Sequence, residues 1–136
     1  MSGPGAAAVL DASALLALLR DEAGSDRARR AIDDGALMSV VNWAEVLANL
    51  VVGSSRPDDV TTMALPGGPG TRLQLVPFDD AQARESARLV RFTRRLGLSL
   101  ADRAALALAL TRRLPVLTTD RAWRSLRLPI RIDVIR

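Results

Sequence analysis

The 136-residue chain contains no cysteine, no histidine, no lysine and no tyrosine. Without cysteine there is no disulfide frame and no thiolate chemistry, which suits a reducing cytoplasm. Without histidine, Ser-His-Asp triads, imidazole bases and ordinary zinc sites are excluded. The lack of lysine removes Schiff-base chemistry and the phosphate-binding lysine of P-loops. Aromatic residues make up 3% of the chain, too few for an extensive base-stacking sheet. The apolar runs near Leu15 and Ala104 are broken by charges before they reach the roughly 18 residues of a membrane span. The opening Met1-Ser2-Gly3-Pro4-Gly5 lacks the basic start of a signal peptide and reads as flexible. An enzyme of this composition must work with carboxylates, hydroxyls, arginine or a metal.

Hydrophobic residues are 49% and charged residues 25%, as in an ordinary folded domain, so residues 1–136 read as one domain. All 19 basic residues are arginine. Residues 1–70 hold five arginines against nine acids, whereas residues 71–136 hold fourteen against six. A basic half points to an anionic partner such as nucleic acid or an acidic protein segment, or to a merely solvated basic surface.

Short apolar runs at 6–10, 36–41, 73–78, 116–119 and 131–135 predict five strands. Between them, helices are predicted over 13–20, 25–34, 42–52, 79–96 and 99–113, with a short one over 121–126. Residues 54–64 are ambiguous, although Ser55 before Pro57, Asp58 and Asp59 makes a good helix start. Pro66-Gly67-Gly68-Pro69-Gly70 reads as an exposed loop. Leu89, Phe92 and Leu96 are expected in the core, while Arg84, Arg88, Arg91 and Arg95 share a stripe on the long helix. Trp43 and Trp123 read as packing residues before they read as base stackers. Strand–helix alternation predicts a three-layer α/β/α domain with a mainly parallel sheet of about five strands. In such sheets ligands bind outside the carboxyl ends of the strands.

Four carboxylates are expected at that edge. Asp11 follows the first strand, Asp120 follows the fourth, and Glu45 and Asp102 lie in the first turns of helices. Each has a plain structural reading. Asn42-Trp43-Ala44-Glu45 has the form of a capping box, Ser99-Leu100-Ala101-Asp102 is its near relative, and Asp11 and Asp120 are natural helix caps. Together they present a different problem. Crowded carboxylates repel, and an all-oxygen cluster suits a hard cation such as Mg²⁺ or Mn²⁺.

Four segments carry a resemblance: Val9-Leu10-Asp11-Ala12-Ser13-Ala14-Leu15, Val41-Asn42-Trp43-Ala44-Glu45-Val46, Leu98-Ser99-Leu100-Ala101-Asp102-Arg103-Ala104 and Val116-Leu117-Thr118-Thr119-Asp120-Arg121-Ala122-Trp123. In order and spacing they resemble the PIN-domain ribonucleases, in particular the VapC-type toxins of bacterial toxin–antitoxin pairs. The resemblance implies a cytoplasmic, Mg²⁺-dependent endoribonuclease, with Mn²⁺ as an alternative ion. Its catalytic acids would be Asp11, Glu45, Asp102 and Asp120, with Asp11, Asp102 and Asp120 holding the metal and Glu45 orienting water. Ser13 and Thr118 would steady the carboxylates. Arg103 and Arg121 are the candidates for substrate phosphate. It further implies RNA as substrate, a VapB-like antitoxin as partner and a homodimer, though the loop at 66–70 departs from the family where dimers form. The alternatives are a PIN nuclease of RNA processing without an antitoxin, and a non-catalytic α/β binding module whose acids are caps. A receiver domain is disfavoured by the missing lysine, and a haloacid-dehalogenase-like phosphatase by the missing second aspartate after Asp11.

Overall fold

Three- and four-residue strands, the first four each followed by a helix that a polar side chain caps (Asp11, Ser39, Asp79 and Asp120), set the alternation of the chain. The computed structural model describes residues 5–61 and 72–136, side chain of Thr61 excepted; the predicted loop at 66–70 and residues 1–4 lie outside the described residues. Strands β1 (Ala8–Leu10), β2 (Ala36–Ser39), β3 (Leu73–Val76), β4 (Val116–Thr118) and β5 (Ile132–Val134) form one sheet in the order β3-β2-β1-β4-β5. Every pairing is parallel, with Val9 of β1 set between Leu37 of β2 and Val116 of β4. The chain steps outward from β1 in one direction and then returns to build β4 and β5 on the other side. The order thus reverses beside β1, at the place where α/β sheets open a crevice.

Alternate residues of each strand feed opposite layers. Ala8, Leu10, Ala36, Met38 and Leu117 join a core with α1 (Ala12–Leu19), α2 (Ser25–Asp34) and α3 (Val40–Val52). Val9, Leu37, Val76 and Val116 join a second core with α7 (Leu100–Arg112) and with Leu89, which lies between α5 (Asp80–Arg88) and α6 (Val90–Thr93); α4 is the short Pro57–Thr61. Strands buried on both faces need apolar residues at every position, which explains why they appear as short continuous runs. The expected three-layer α/β/α fold is the one observed. None of the described helices is long and apolar enough to cross a membrane.

Four local expectations change. β2 ends at Ser39 rather than at residue 41, because the Ser39 hydroxyl accepts the Val41 N–H and starts α3 early. Asn42 is therefore no helix cap, and Glu45 falls in the second turn of α3, not the first. At α4, the hydroxyl of Ser54 rather than Ser55 takes the Arg56 N–H. The single helix predicted over 79–96 is divided into α5, α6 and a 3-10 turn at Arg94–Leu96, and Gly97 ends it with φ near +63°. The inward stripe there runs through Gln82, Ser86, Leu89 and Thr93, so Phe92 falls beside it and is 60% exposed. Small polar residues took core places that a search for apolar residues assigns to Phe92. Gln82 is satisfied by Thr111 and Thr93 by the Leu89 carbonyl, which makes those places tolerable. On the same helix Arg84 pairs with Asp80 and Arg88 with Glu85, so half of the arginine stripe is already neutralised. Trp123 is fully buried in the second core, which settles it as a packing residue.

Candidate active site at the carboxyl edge of the sheet

Asp11 stands where β1 becomes α1. Its backbone N–H is still in the sheet, donating to the Leu117 carbonyl at 3.1 Å, while its Oδ1 already accepts the Ala14 N–H at 2.9 Å as the cap of α1. Two hydroxyls complete its surroundings. Ser13 donates to Oδ1 at 2.7 Å, and Thr118, at the end of β4, donates to Oδ2 at 2.6 Å. Each hydroxyl in turn accepts a backbone N–H, Ser13 from Thr119 at 2.9 Å and Thr118 from Asp120 at 3.1 Å. Because their oxygens are receiving those N–H groups, both hydroxyls have their hydrogens free for the carboxylate. Ser13 and Thr118 thus both hold the Asp11 carboxyl by hydrogen bonds.

Burial governs the acidity of this group. Asp11 is 4% exposed, and loss of water pushes its carboxyl up to about 6. The bonds from Thr118, Ser13 and Ala14 work against that rise, and the negative charge of Asp102 adds to it.

Asp102 is fixed by a capping box at the start of α7. Ser99 Oγ accepts the Asp102 N–H at 3.1 Å, and the Asp102 carboxylate accepts the Ser99 N–H at 2.9 Å. Glu45 lies half-buried on α3, and its carboxyl is raised first by burial and then by the charge of Asp102. Asp102 therefore acts on both Asp11 and Glu45. Asp120 is exposed, caps the 3-10 helix Arg121–Ser125 by accepting the Ala122 N–H at 2.9 Å, and is joined to Asp11 only through Thr118. Beside it Thr119, Arg121 and Arg136 line an open pocket of about 400 Å³.

The expected convergence is consequently graded. Asp11, Glu45 and Asp102 share one electrostatic environment, and Asp120 adjoins it. Among the described residues, no three acidic side chains are already closed around a common point, and no arginine forms an ion pair with any of the four. Arg103 is drawn elsewhere, giving an Nη1 hydrogen to the Leu98 carbonyl at 2.9 Å while its Nε is buried without a partner. Arg121 faces the pocket next to Asp120. Arg136 escaped the sequence reading because nothing in a terminal arginine marks it as a neighbour of Asp120. Asn42 escaped because its spacing to Glu45 imitates a capping box; it is buried, and its amide donates to the Ala101 carbonyl at 2.9 Å.

The donor set fits a divalent cation in kind. Its ligating atoms would be hard carboxylate oxygens, Asp11 and Glu45 are both raised above the ordinary carboxylate range by burial and by the charge of Asp102, and among the described residues no arginine forms an ion pair with them. Asp11, Asp102 and Asp120 are the residues that would hold such an ion, with Glu45 at its margin.

Fold and site define an α/β domain with an acidic crevice at the switch point of a wholly parallel sheet. The PIN domain family model matches residues 8–128, and the chain belongs to that family. Among solved structures, a toxin–antitoxin complex from Klebsiella pneumoniae is similar with a TM-score of 0.66 and 22% identity, covering 93% of this chain and 100% of the other. DNA-bound VapBC from Salmonella typhimurium gives a TM-score of 0.69 at 17% identity, over 93% and 96% of the two chains. A VapBC toxin–antitoxin system of Mycobacterium tuberculosis gives 0.59 at 26% identity, over 94% and 98%. No curated protein matches the chain.

Proposed function

We propose that this single-domain protein is a metal-dependent endoribonuclease, the toxin of a toxin–antitoxin pair, acting in the cytoplasm as a homodimer and held inactive by a VapB-like antitoxin. The observation that carries the reading is the grip of Ser13 and Thr118 on a buried Asp11 whose charge is coupled to Asp102, in a chain of the PIN domain family. Similarity to VapBC complexes from Salmonella typhimurium and Mycobacterium tuberculosis supports the antitoxin as partner.

When bound, Mg²⁺ or Mn²⁺ would polarise an RNA phosphodiester and acidify water for attack on phosphorus. Asp11 and Asp102, each fixed by hydrogen bonds within its own helix start, present oxygens in a set geometry and need no rearrangement of their backbone. Asp120 supplies a further carboxylate at the solvent side. Glu45, whose carboxyl is raised above its ordinary value by burial and by the charge of Asp102, orients the attacking water. Arg121 meets phosphate at the open pocket, and Arg103 supports that function only if it leaves the Leu98 carbonyl.

Cleavage of total bacterial RNA by the wild type and Asp11→Asn, with Mg²⁺, Mn²⁺ or EDTA, tests this directly. Asparagine keeps the size and the helix cap but removes the charge. Discrete fragments that require the ion and vanish in the variant are expected. An active Asp11→Asn protein would sink the site, and an inert wild type that binds no metal by calorimetry would leave the binding-module reading.

A further inference from the structure

Asn42 occupies a place built for an apolar side chain. It is 1% exposed, one helical turn from fully buried Val46 on the inner face of α3. Its Nδ2 reaches across to α7 and donates to the Ala101 carbonyl at 2.9 Å, joining residues 59 positions apart. A carbonyl can only accept, so the amide cannot be turned round. Its other end, Oδ1, is then buried with no hydrogen-bond partner. Buried acceptors without partners reduce stability, and cores retain them where something else depends on them.

The position of the bond shows what depends on it. Asn42 is one turn before Glu45 on α3, and Ala101 immediately precedes Asp102 on α7. Glu45 and Asp102 repel each other. Among the described residues the Asn42 amide makes the one side-chain hydrogen bond between these two helices. We propose that Asn42 is a positioning residue that ties the helix of Glu45 to the helix of Asp102, holding the two repelling carboxylates in a fixed relation beside the place where a divalent ion would bind. This rests on the metal-dependent reading above, and it assigns to Asn42 a duty distinct from the four acids.

The test uses Asn42→Leu, which keeps the branching of the side chain at a larger volume, removes the donor and also removes the unpartnered oxygen. Mn²⁺ is titrated into metal-free wild type, Asn42→Leu, Glu45→Gln and the double variant, following free Mn²⁺ by electron paramagnetic resonance, with thermal unfolding in EDTA alongside. Asn42→Leu is expected to unfold at no lower temperature than the wild type yet to bind Mn²⁺ about tenfold more weakly, as supporting residues of metal sites do. That loss is expected to shrink in the Glu45→Gln background, because the constraint it removes is the one between the two carboxylates. Equal Mn²⁺ affinity in wild type and Asn42→Leu overturns the proposal. So does a loss that persists unchanged without the Glu45 charge, or one accompanied by a matching loss of stability, since each marks a structural role alone. A wild type that takes up no Mn²⁺ overturns the metal-dependent reading itself, and this inference with it.

Discussion

Thr118 gives its hydroxyl hydrogen to Oδ2 of Asp11 at 2.6 Å, linking the ends of β4 and β1 across 107 residues of chain. The bond favours the charged carboxylate inside a site whose burial opposes charge. Thr118→Val keeps the shape and removes the donor. Its Asp11 carboxyl should titrate above about 6, and Mn²⁺ affinity should fall about tenfold to a hundredfold. Calorimetry and carboxyl-resolved NMR titration check both, and unchanged values would deny Thr118 any part in holding the carboxylate.

The metal-free protein should become less stable as pH rises. Asp11 titrates near 3.8 in the unfolded chain and near 6 in the folded one, so the native state holds the proton more tightly. That contribution is complete below about pH 3.8 and disappears as pH passes through about 6, a change of about 3 kcal/mol. Glu45 shifts in the same direction. Urea unfolding in EDTA across this range should show the decline in wild type and a flatter profile in Asp11→Asn. Excess Mn²⁺ should restore stability at neutral pH, because an ion that binds only the native state stabilises it.

Ser99→Ala should lower stability by about 1 kcal/mol through loss of the capping box. It also releases one of the two bonds that orient Asp102. Mn²⁺ affinity should fall with it, whereas a substitution at Ser54, which caps nothing near the site, should leave affinity unchanged. Denaturant melts and metal titrations of the two variants make the comparison.

Arg121→Ala and Arg136→Ala should weaken RNA binding without altering metal binding. In an Asp11→Asn background, which binds RNA without cutting it, each should reduce the salt dependence of affinity by about 0.7 in log–log slope, the contribution of one phosphate contact on a single strand. A slope equal to that of the parent variant would remove the pocket at Thr119, Asp120, Arg121 and Arg136 from the substrate path.

Much of this was legible because local chemistry and global fold agree. A three-residue apolar run ending in Asp11 specifies both a buried strand and the helix start that follows it, and the same holds for Ser99 before Asp102. Two kinds of feature were hidden. Ser39 competes with Asn42 as a helix cap, and only the sheet decides where β2 stops; the choice moves Glu45 by a turn. Thr93 and Phe92 compete for one inward place, and Thr93 can take it because its hydroxyl bonds to the Leu89 carbonyl of its own helix. The bond from Asn42 to Ala101 joins distant segments, and no spacing within one segment announces it.

Because β1 lies between β2 and β4, the middle of the sheet is finished by one of the last strands made. A ribosome delivers Asp11, Glu45 and Asp102 well before Thr118 emerges, and until then Asp11 lacks the hydroxyl on its Oδ2. Its α1 can form early, but β4 has to cross the whole domain to dock beside it, a slow long-range step. A chain cut short before residue 116 would lack β4, and with it both the parallel neighbour of β1 and the hydroxyl that Asp11 receives from Thr118.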